Sequence, residues 1–287
     1  MKNILTVDLE DWFSVEVLNT VITPDQWGNL ESVVDRNTRR ILDIFARHNV
    51  KATFFVLGWI ADRYPELIND VSKAGHEIAC HSFRHRMVSS LTPDEFKHDT
   101  EQAINAIVKA CGLMPSGYRS PSWGMKRDMV WAYEILADFG FAWDSSIFPI
   151  KHDIYGEPAA PRTAFHVRLP SGRAMIEVPA STVVVLGRKL AIGGGGWLRQ
   201  FPYWFTRWGI KRLNRNQVPA MIYFHPWELD RNLPRSRFVF SLLRNKKALK
   251  NWVRQYKNLI TMETKIERLL TDFDFVSVSE YIASVKR

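Results

Sequence analysis

Two histidines four residues apart, His81 and His85, follow a short apolar stretch that has the length and flanks of a buried strand. Both rings would then lie where a strand ends and a loop begins, so they can point at one metal ion. Surface or helix-capping histidines are the alternative, because this spacing by itself is common. Imidazole combined with carboxylate suits zinc and other divalent first-row metals, and three protein ligands leave one coordination position open for water.

A cluster of acidic residues can supply the carboxylate. The chain begins with an apolar, strand-like run and continues directly into Asp8, Glu10 and Asp11. Acids at the carboxyl end of a buried first strand cost stability, which favours a functional reason for them. The alternative is that they cap the next helix. Residues i and i+2 of a strand share a face, so Asp8 and Glu10 would point to the same side.

Five short segments, in order along the chain, carry a resemblance to a known family. They read TVDLEDWF, HSFRH, YRSPSWG, WDSS and YFHPWE, at residues 6–13, 81–85, 118–124, 143–146 and 223–228. Each segment is short, but the ordered set is specific. The chain resembles the polysaccharide deacetylases of carbohydrate esterase family 4, which share the NodB-like homology domain. Within this family it resembles the subgroup encoded with exopolysaccharide and exosortase (PEP-CTERM) loci.

The resemblance implies an acid and a base. Asp8 falls where the general base of the family stands, and His225 falls where the general acid stands. Arg119 would pair with and orient Asp8, whereas Asp144 would hold the His225 ring and raise its pKa. Without the resemblance, a surface ion pair for Arg119, a helix N-cap for Asp144 and a loop position for His225 are the alternatives.

The metal would be held by the two early histidines and a carboxylate. The commonest form of the first motif has two adjacent aspartates, whereas here Leu9 separates Asp8 from Glu10. We predict Glu10 as the carboxylate ligand, with Asp11 as its alternate if the chain has already turned at Leu9. Zinc is the expected ion, and cobalt, nickel and manganese also suit this ligand set.

These residues suit the hydrolysis of an N-acetyl amide. A bound metal lowers the pKa of its water and polarises the carbonyl, a base takes the proton of the water, and an acid protonates the departing amine. We predict a hydrolase that releases acetate from amino sugars of a polysaccharide or of a lipid-linked oligosaccharide precursor. The alternatives are hydrolysis of another linear amide or of an O-acetyl ester, and a non-catalytic glycan-binding protein.

The fold class follows from length and patterning. A chain of 287 residues with 46% hydrophobic content can bury one large core. Apolar runs alternate with amphipathic stretches such as residues 30–48, 94–111 and 128–139, as in parallel strands covered by helices. The resemblance implies an α/β fold of the distorted, incomplete (β/α) barrel type, with the motifs at strand ends. We predict a catalytic domain over residues 1–230 and, packed on it, a basic, mostly helical extension over residues 231–287.

Residues 150–215 interrupt the alternation with prolines and a run of four glycines. We predict an irregular insertion over the barrel mouth. Aromatic rings stack on the apolar faces of sugars, and glycines permit close backbone approach. Residues 193–204 would therefore line a glycan groove, with Gly195, Trp197 and Tyr203 binding substrate together with Trp123. The alternative is that these aromatic residues pack in the core and the glycines form a mobile loop.

Charge and chain ends lead to predictions about partners and location. The formal net charge is +9, and basic runs follow residue 230, which favours anionic partners. The sequence has no nucleic-acid-binding motif, so one hypothesis is peripheral contact with the anionic surface of the inner membrane, and a solvated basic face is the alternative. The first strand leaves no room for a signal peptide, and no apolar run could span a bilayer, so we predict a cytoplasmic protein. Cys80 and Cys111 are expected to be reduced.

Overall fold

The computed structural model describes residues 1–19, 21–153, 155–232, 253 and 255–285. Its strands, in chain order, are β1 (Asn3–Leu9), β2 (Thr53–Val56), β3 (Glu77–Cys80), β4 (Gly117–Tyr118), β5 (Trp143–Asp144), β6 (Phe165–Arg168), β7 (Ala174–Glu177), β8 (Thr182–Val185), β9 (Arg188–Ala191), β10 (Met221–Phe224) and β11 (Phe275–Val276). Its helices are α1 (Val34–Arg47), α2 (Gly58–Arg63), α3 (Pro65–Lys73), α4 (Pro93–Cys111), α5 (Val130–Asp138), α6 (Gly195–Gln200), α7 (Tyr203–Arg215), α8 (Met262–Asp272) and α9 (Val278–Val285).

Nine of the described strands form one sheet in the order β10, β1, β2, β3, β4, β5, β7, β6, with β11 also beside β1. All pairs are parallel except the antiparallel hairpin of β6 and β7. The sheet is curled into a half-barrel and covered by helices. This confirms the predicted α/β fold of the incomplete barrel type. Strands β8 and β9 form a separate antiparallel hairpin.

Strand alternation gives the half-barrel two chemically different faces. In β1, Leu5, Val7 and Leu9 belong to the large core that includes the helices, whereas Ile4 belongs to a smaller cluster on the inner face. Asp8 shares the inner side with Ile4. In β2 and β10, too, successive residues alternate between the large core and the inner cluster. The inner face therefore holds the polar side chains of the strand ends, and the outer face supplies most of the apolar burial.

The three amphipathic stretches form α1, α4 and α5, within a few residues of the predicted bounds. Helix α4 shows how local sequence sets these ends. The Thr92 hydroxyl accepts a hydrogen bond from the Glu95 backbone N–H at 3.3 Å, while the Glu95 carboxylate accepts one from the Thr92 N–H at 2.9 Å. The helix ends at Gly112, whose φ of +73° is the left-handed conformation that glycine adopts at low cost.

The prediction of an irregular insertion over residues 150–215 is wrong in its main part. This region contains β6 to β9, α6 and α7. A Cβ at Gly193 would lie 2.1 Å from the Met221 carbonyl oxygen, and one at Gly194 would lie 2.1 Å from the Tyr223 ring, so these glycines let the chain run against β10. Glycine both breaks elements and permits such close approach, so the run by itself does not distinguish a loop from a segment packed against a strand.

The C-terminal part returns to the barrel. Strand β11 adds to β1, and α8 and α9 are the helices described within the extension over residues 231–287. The basic runs between residues 233 and 252 lie outside the described residues, and the division at residue 230 stays a prediction. Among the described helices, none combines the length and the apolar character needed to cross a bilayer. Both Cys80 and Cys111 are free thiols.

Candidate active site

Glu10, His81 and His85 lie together at the carboxyl ends of β1 and β3, as predicted. Each offers one ligand atom, and these three atoms lie within 4.8 Å of one another. All three side chains are buried. Parallel register explains the meeting of the first two, since Leu9 is aligned with Val56 of β2, and Val56 is aligned with Cys80 of β3. The next residues along β1 and β3 are therefore neighbours across one strand.

The ring nitrogens of the two histidines have defined surroundings. Nδ1 of His81 lies 2.7 Å from the carbonyl oxygen of Arg119, so it carries the proton and leaves Nε2 with a lone pair. Burial lowers the pKa of His81 to about 4, which keeps the ring neutral. Nε2 of His85 lies 2.7 Å from Oε2 of Glu10. Burial by itself would raise the pKa of Glu10, but the attraction and hydrogen bond of His85, together with His225 and His81, lower this pKa to about 2.

Asp11, the alternate to Glu10, is turned away from the histidines. Its carboxylate accepts hydrogen bonds from the Ser32 hydroxyl at 2.5 Å, the Val33 N–H at 3.0 Å and the Val34 N–H at 3.3 Å. It thus satisfies backbone donors at the start of α1, which was the capping alternative for these acids. Among the described residues, Glu10 and not Asp11 joins the two histidines.

Asp8 and Arg119 form the predicted pair. Nη1 of Arg119 donates to Oδ1 of Asp8 at 2.6 Å, and both side chains are buried. The guanidinium also donates to the Thr6 hydroxyl at 2.9 Å and lies 3.8 Å from the centre of the Phe55 ring. These contacts fix one carboxylate oxygen of Asp8. The second oxygen, Oδ2, lies 3.8 Å from Nε2 of His225.

His225 follows β10 on the inner face, and Glu228 holds its ring. Oε2 of Glu228 lies 2.9 Å from Nδ1 of His225 and accepts from its backbone N–H at 3.0 Å. Burial is the largest single influence and would lower the pKa of His225, but the attraction and hydrogen bond of Glu228, together with the charges of Glu10 and Asp8, raise it to about 9. Glu228 is itself fully buried and forms an ion pair with Arg199 of α6.

The prediction that Asp144 holds His225 is wrong. Asp144 accepts from the Ser146 hydroxyl at 2.7 Å and from the Ser146 N–H at 3.0 Å. Its neighbour Trp143 belongs to the inner cluster, so alternation along β5 turns Asp144 toward the outer face. The carboxylate that supports His225 comes three residues after it. The sequence shows this i, i+3 spacing, which is the only sign of Glu228 that pattern reading could have used.

Helix α6, which carries Arg199, is held from the C-terminal region. Nζ of Lys265 donates to the carbonyl oxygens of Leu198 at 3.0 Å, Arg199 at 2.8 Å and Phe201 at 2.8 Å. These carbonyls lie at the end of the helix, where backbone acceptors lack helical partners. Lys265 thus fixes the end of α6, and α6 in turn positions the guanidinium that pairs with Glu228.

These groups open into one cavity of about 350 Å³. Its remaining wall includes the predicted Trp123, Gly195 and Trp197. Other lining residues belong to the motif segments or to residues 193–204 without an individually predicted role, namely Ser120, Ser122, Gly196, Gln200, Tyr223 and Trp227, and no sequence pattern indicated His152, Tyr155 and Gln255. Tyr203 is absent from this wall, and its prediction as a substrate-binding residue is wrong. Its hydroxyl instead donates to Asp272 at 2.7 Å, on the far side of α7. Of residues 193–204, which are predicted to line the groove, only residues of α6 line the cavity.

The backbone is strained around this cavity. Ser82, His85, Ser122 and Trp123 have φ values of 64°, 53°, 53° and 53°. Side chains other than glycine rarely adopt this left-handed region, and such residues cluster where the surrounding structure holds a functional geometry.

Two family models match the chain. Residues 24–140 match the model described as polysaccharide deacetylase, and residues 145–283 match a domain of unknown function, DUF3473. Among curated proteins, a peptidoglycan-N-acetylglucosamine deacetylase of Bacillus cereus is 31% identical over 99 residues, which are 34% of this chain and 36% of that protein. A chitooligosaccharide deacetylase of Bradyrhizobium is 36% identical over 101 residues, which are 35% of this chain and 43% of that protein. The chain thus matches less than half the length of each.

The fold has a counterpart among solved structures. A crystal structure of a candidate polysaccharide deacetylase from Mycobacterium smegmatis superimposes with a TM-score of 0.62 and 18% identity, over 100% of this chain and 91% of that one. At this identity the likeness concerns the fold alone. Together with the family model and the curated relatives, it agrees with the resemblance found in the five motifs. Residues 24–140 thus carry a polysaccharide deacetylase domain of the NodB-like type, carbohydrate esterase family 4.

Proposed function

We propose that this protein is a metal-dependent hydrolase that removes acetyl groups from N-acetylated amino sugars. One observation carries the proposal: a buried Glu10, His81 and His85 cluster opens into the same cavity as an oriented carboxylate, Asp8, and an oriented imidazole, His225. The curated relatives named as deacetylases of peptidoglycan and chitooligosaccharide support the reaction class.

The donor set fits a divalent cation. Two imidazoles and one carboxylate converge without solvent exposure, and His81 is fixed in the neutral form that a metal requires. Nδ1 of His85 is buried without a hydrogen-bond partner among the described residues, so no second contact competes for the orientation of this ring. A bound ion would polarise the acetyl carbonyl and make water more acidic. Zinc is the proposed ion, with cobalt, nickel and manganese as alternatives.

Asp8 would act as the base. Its Oδ1 is held by Arg119 at 2.6 Å, while Oδ2 faces the cavity and can accept a proton from water. Because the guanidinium is buried and bonded to Oδ1, it fixes the carboxylate in place.

His225 would act as the acid. Nδ1 is engaged by Glu228, so Nε2 is the nitrogen that faces the cavity and can donate a proton to the departing amine. The stacked Trp227 ring, 5.2 Å away between centroids, limits rotation of the imidazole. Glu228 and Arg199 would thus take the orienting role that the resemblance implies for Asp144.

The proposed substrate is a polysaccharide or a lipid-linked oligosaccharide precursor with N-acetylated residues. Trp123, Trp197, Tyr155 and Tyr223 in the cavity wall offer ring faces that suit sugar rings. Exopolysaccharide biosynthesis, membership of the exosortase-associated subgroup and a cytoplasmic location are parts of this proposal that come from the sequence. In the cytoplasm, a precursor is more accessible than a finished polymer.

The test is acetate release. The purified full-length protein is incubated with N-acetylglucosamine oligomers after exhaustive chelation and after reloading with zinc, cobalt, nickel or manganese. We expect acetate only from the metal-loaded protein, with release at least about a hundredfold slower from the D8N or H225A variants. His98 and Glu101 are exposed on α4, so H98A and E101Q serve as matched controls that retain activity.

Two results would contradict the proposal. Acetate that persists after complete chelation would remove the metal from the mechanism. Release from O-acetyl esters or other linear amides, with none from N-acetylated sugars, would assign a different hydrolase reaction to the same site.

A further inference from the structure

Helix α7 exposes an unusual face. Trp204, Trp208, Lys211, Arg212 and Arg215 are all exposed, and their spacing of about one helical turn places them on the same side. The opposite side packs into the protein. Trp204 is 68% exposed and Trp208 is 37% exposed, which is uncommon for the largest apolar side chains.

The two tryptophans belong to a continuous aromatic strip, which we define as Phe201, Trp204, Phe205 and Trp208. Ring centroids are 4.6 Å apart for Phe201 and Phe205, 5.9 Å for Trp204 and Phe205, and 5.5 Å for Phe205 and Trp208. The strip starts at the cavity, because Phe201 lies 5.7 Å from the ring of Trp197 in the cavity wall. Phe201 and Phe205 are half-buried and the two tryptophans are exposed, and a contiguous apolar surface of this kind marks an interaction site.

Beyond the aromatic strip, the C-terminal half of α7 is positively charged. It contains four basic residues and no acidic one. Arg207 pairs with Asp272 at 2.6 Å, whereas Lys211, Arg212 and Arg215 make no ion pair with any carboxylate of the described residues. Lys211 and Arg215 also border a shallow surface hollow of about 500 Å³, whose lining contains no acidic side chain. The far end of the helix is thus suited to an anionic group.

We infer that α7 docks this protein on an anionic membrane surface, with the aromatic strip at the level of the lipid headgroups and Lys211, Arg212 and Arg215 on anionic phosphates. Tryptophan rings prefer this interface because they combine an apolar body with a polar N–H, and Lys and Arg add attraction to anionic lipid. The cavity would then open beside the lipid surface. Docking does not depend on the proposed hydrolysis.

The geometry favours a membrane over a glycan as the occupant. A sugar chain stacks on a flat platform of ring faces, but the interplanar angles along the strip are 52°, 86° and 33°. Tilted rings present edges as well as faces, and these fit the irregular boundary between headgroups and acyl chains. The charge complementarity with anionic lipid is the second reason.

The experiment is vesicle co-sedimentation of the full-length protein without substrate. Vesicles contain phosphatidylcholine alone or about one third phosphatidylglycerol, a fraction chosen to give a strongly negative surface. We expect binding to the anionic vesicles that weakens at high salt. The W204A/W208A variant should bind at least tenfold more weakly. The K211Q/R212Q/R215Q variant should lose about fivefold per residue, and only on anionic vesicles.

Matched controls separate the surface from general effects. The control variant is L113A/M114A. Leu113 and Met114 follow α4 and are 49% and 48% exposed, so this variant also removes exposed apolar side chains, but away from α7, and it should bind vesicles as the wild type does. Unfolding temperatures establish that each variant is folded. Absence of vesicle binding, or binding unaffected by W204A/W208A, would overturn the inference. Retention on a soluble anionic polysaccharide or a concentration-dependent dimer, lost in W204A/W208A without any vesicle binding, would also overturn it. Because no activity is measured, failure here leaves the proposed hydrolysis untouched.

Discussion

The site is assembled from two regions that are built in different ways. The first region, residues 1–140, supplies Asp8, Glu10, His81, His85 and Arg119 from the ends of neighbouring parallel strands. There the register of β1 to β4 sets the positions of the side chains. The second region, residues 145–283, supplies His225 after β10 and Glu228 three residues later, and the further support comes from Arg199 of α6 and Lys265 of α8.

The difference lies in what fixes each group. In the first region, Arg119 contacts Asp8 directly and is itself packed among strand residues. In the second region, support passes from Lys265 through α6 to Arg199, and then to Glu228 and His225. The first region is therefore expected to tolerate local change poorly, and the second to depend on packing far from the cavity.

The largest expected effect concerns the metal cluster in the first region. H81A removes a ligand and should lower kcat/KM by roughly a thousandfold or more, since the metal contributes several kcal/mol to the reaction. Exhaustive chelation of the wild type should give a similar loss that reloading reverses. Acetate release and the metal content of each protein are measured together. Full activity in metal-free H81A would show that the cluster is structural.

The next effect concerns the acid in the second region. H225A should lower kcat by about 10²- to 10⁴-fold, which is the usual contribution of a general acid, while metal content stays at the wild-type level. H98A, at an exposed position, is the control. Loss of bound metal in H225A would instead mean that His225 of the second region is also needed for metal binding by the first.

A smaller effect is expected for the group that orients this acid. E228Q should lower kcat by about 10- to 100-fold with little change in KM, because the ring loses its charged partner. It should also destabilise the fold by about 3–5 kcal/mol, since Arg199 is left buried without its carboxylate.

The double variant R199M/E228Q separates these two roles. It removes the uncompensated charge, so urea unfolding should recover most of the lost stability, while kcat stays low. Recovery of kcat together with stability would show that Glu228 serves the fold and not the imidazole.

Remote support gives a weaker effect. K265M leaves the carbonyls of Leu198, Arg199 and Phe201 without their shared donor, and should cost about 1–3 kcal/mol of stability and a severalfold loss of kcat. K73M, at an exposed lysine of α3, is the control. Equal activity of both variants would show that α6 does not need Lys265 to position Arg199.

The smallest effect is a pH dependence of stability in the first region, away from the cavity. His76 packs between Phe45 and Phe54, and its Nδ1 accepts from the Ala52 N–H at 3.2 Å. Burial lowers the pKa of His76 to about 4 from an ordinary value of 6.5. Between these values only the unfolded chain binds the proton, so the stability present above pH 6.5 falls as the pH drops toward 4, by up to about 3 kcal/mol.

The variant that tests this effect is H76N, which keeps an acceptor for the Ala52 N–H but does not titrate. Urea unfolding at pH 7 and pH 5 should show a smaller difference in stability for H76N than for the wild type. An unchanged difference would place the acid sensitivity in other groups.

The sequence by itself determined the α/β fold class and the candidate residues of the first region, but it left Glu10 and Asp11 as alternatives for the carboxylate ligand. Periodicity marked the strands, and polar residues directly after buried strands can be read from the chain, because parallel strands bring their carboxyl ends to one edge. The resemblance added the roles of Asp8 and His225. Glu10, His81 and His85 meet because they follow the carboxyl ends of the parallel strands β1 and β3.

Tertiary structure alone decided the second region. Asp144 and Glu228 are both carboxylates within the motifs. The Asp144 side chain points to the outer face of β5 and bonds to Ser146, so the carboxylate that contacts His225 is that of Glu228. Tyr203 and Trp197 are both aromatic residues near the glycines, but the turn between α6 and α7 puts only Trp197 in the cavity wall. Such choices depend on contacts between residues distant in the chain, and short-range patterns carry no information about which face a neighbouring element will cover.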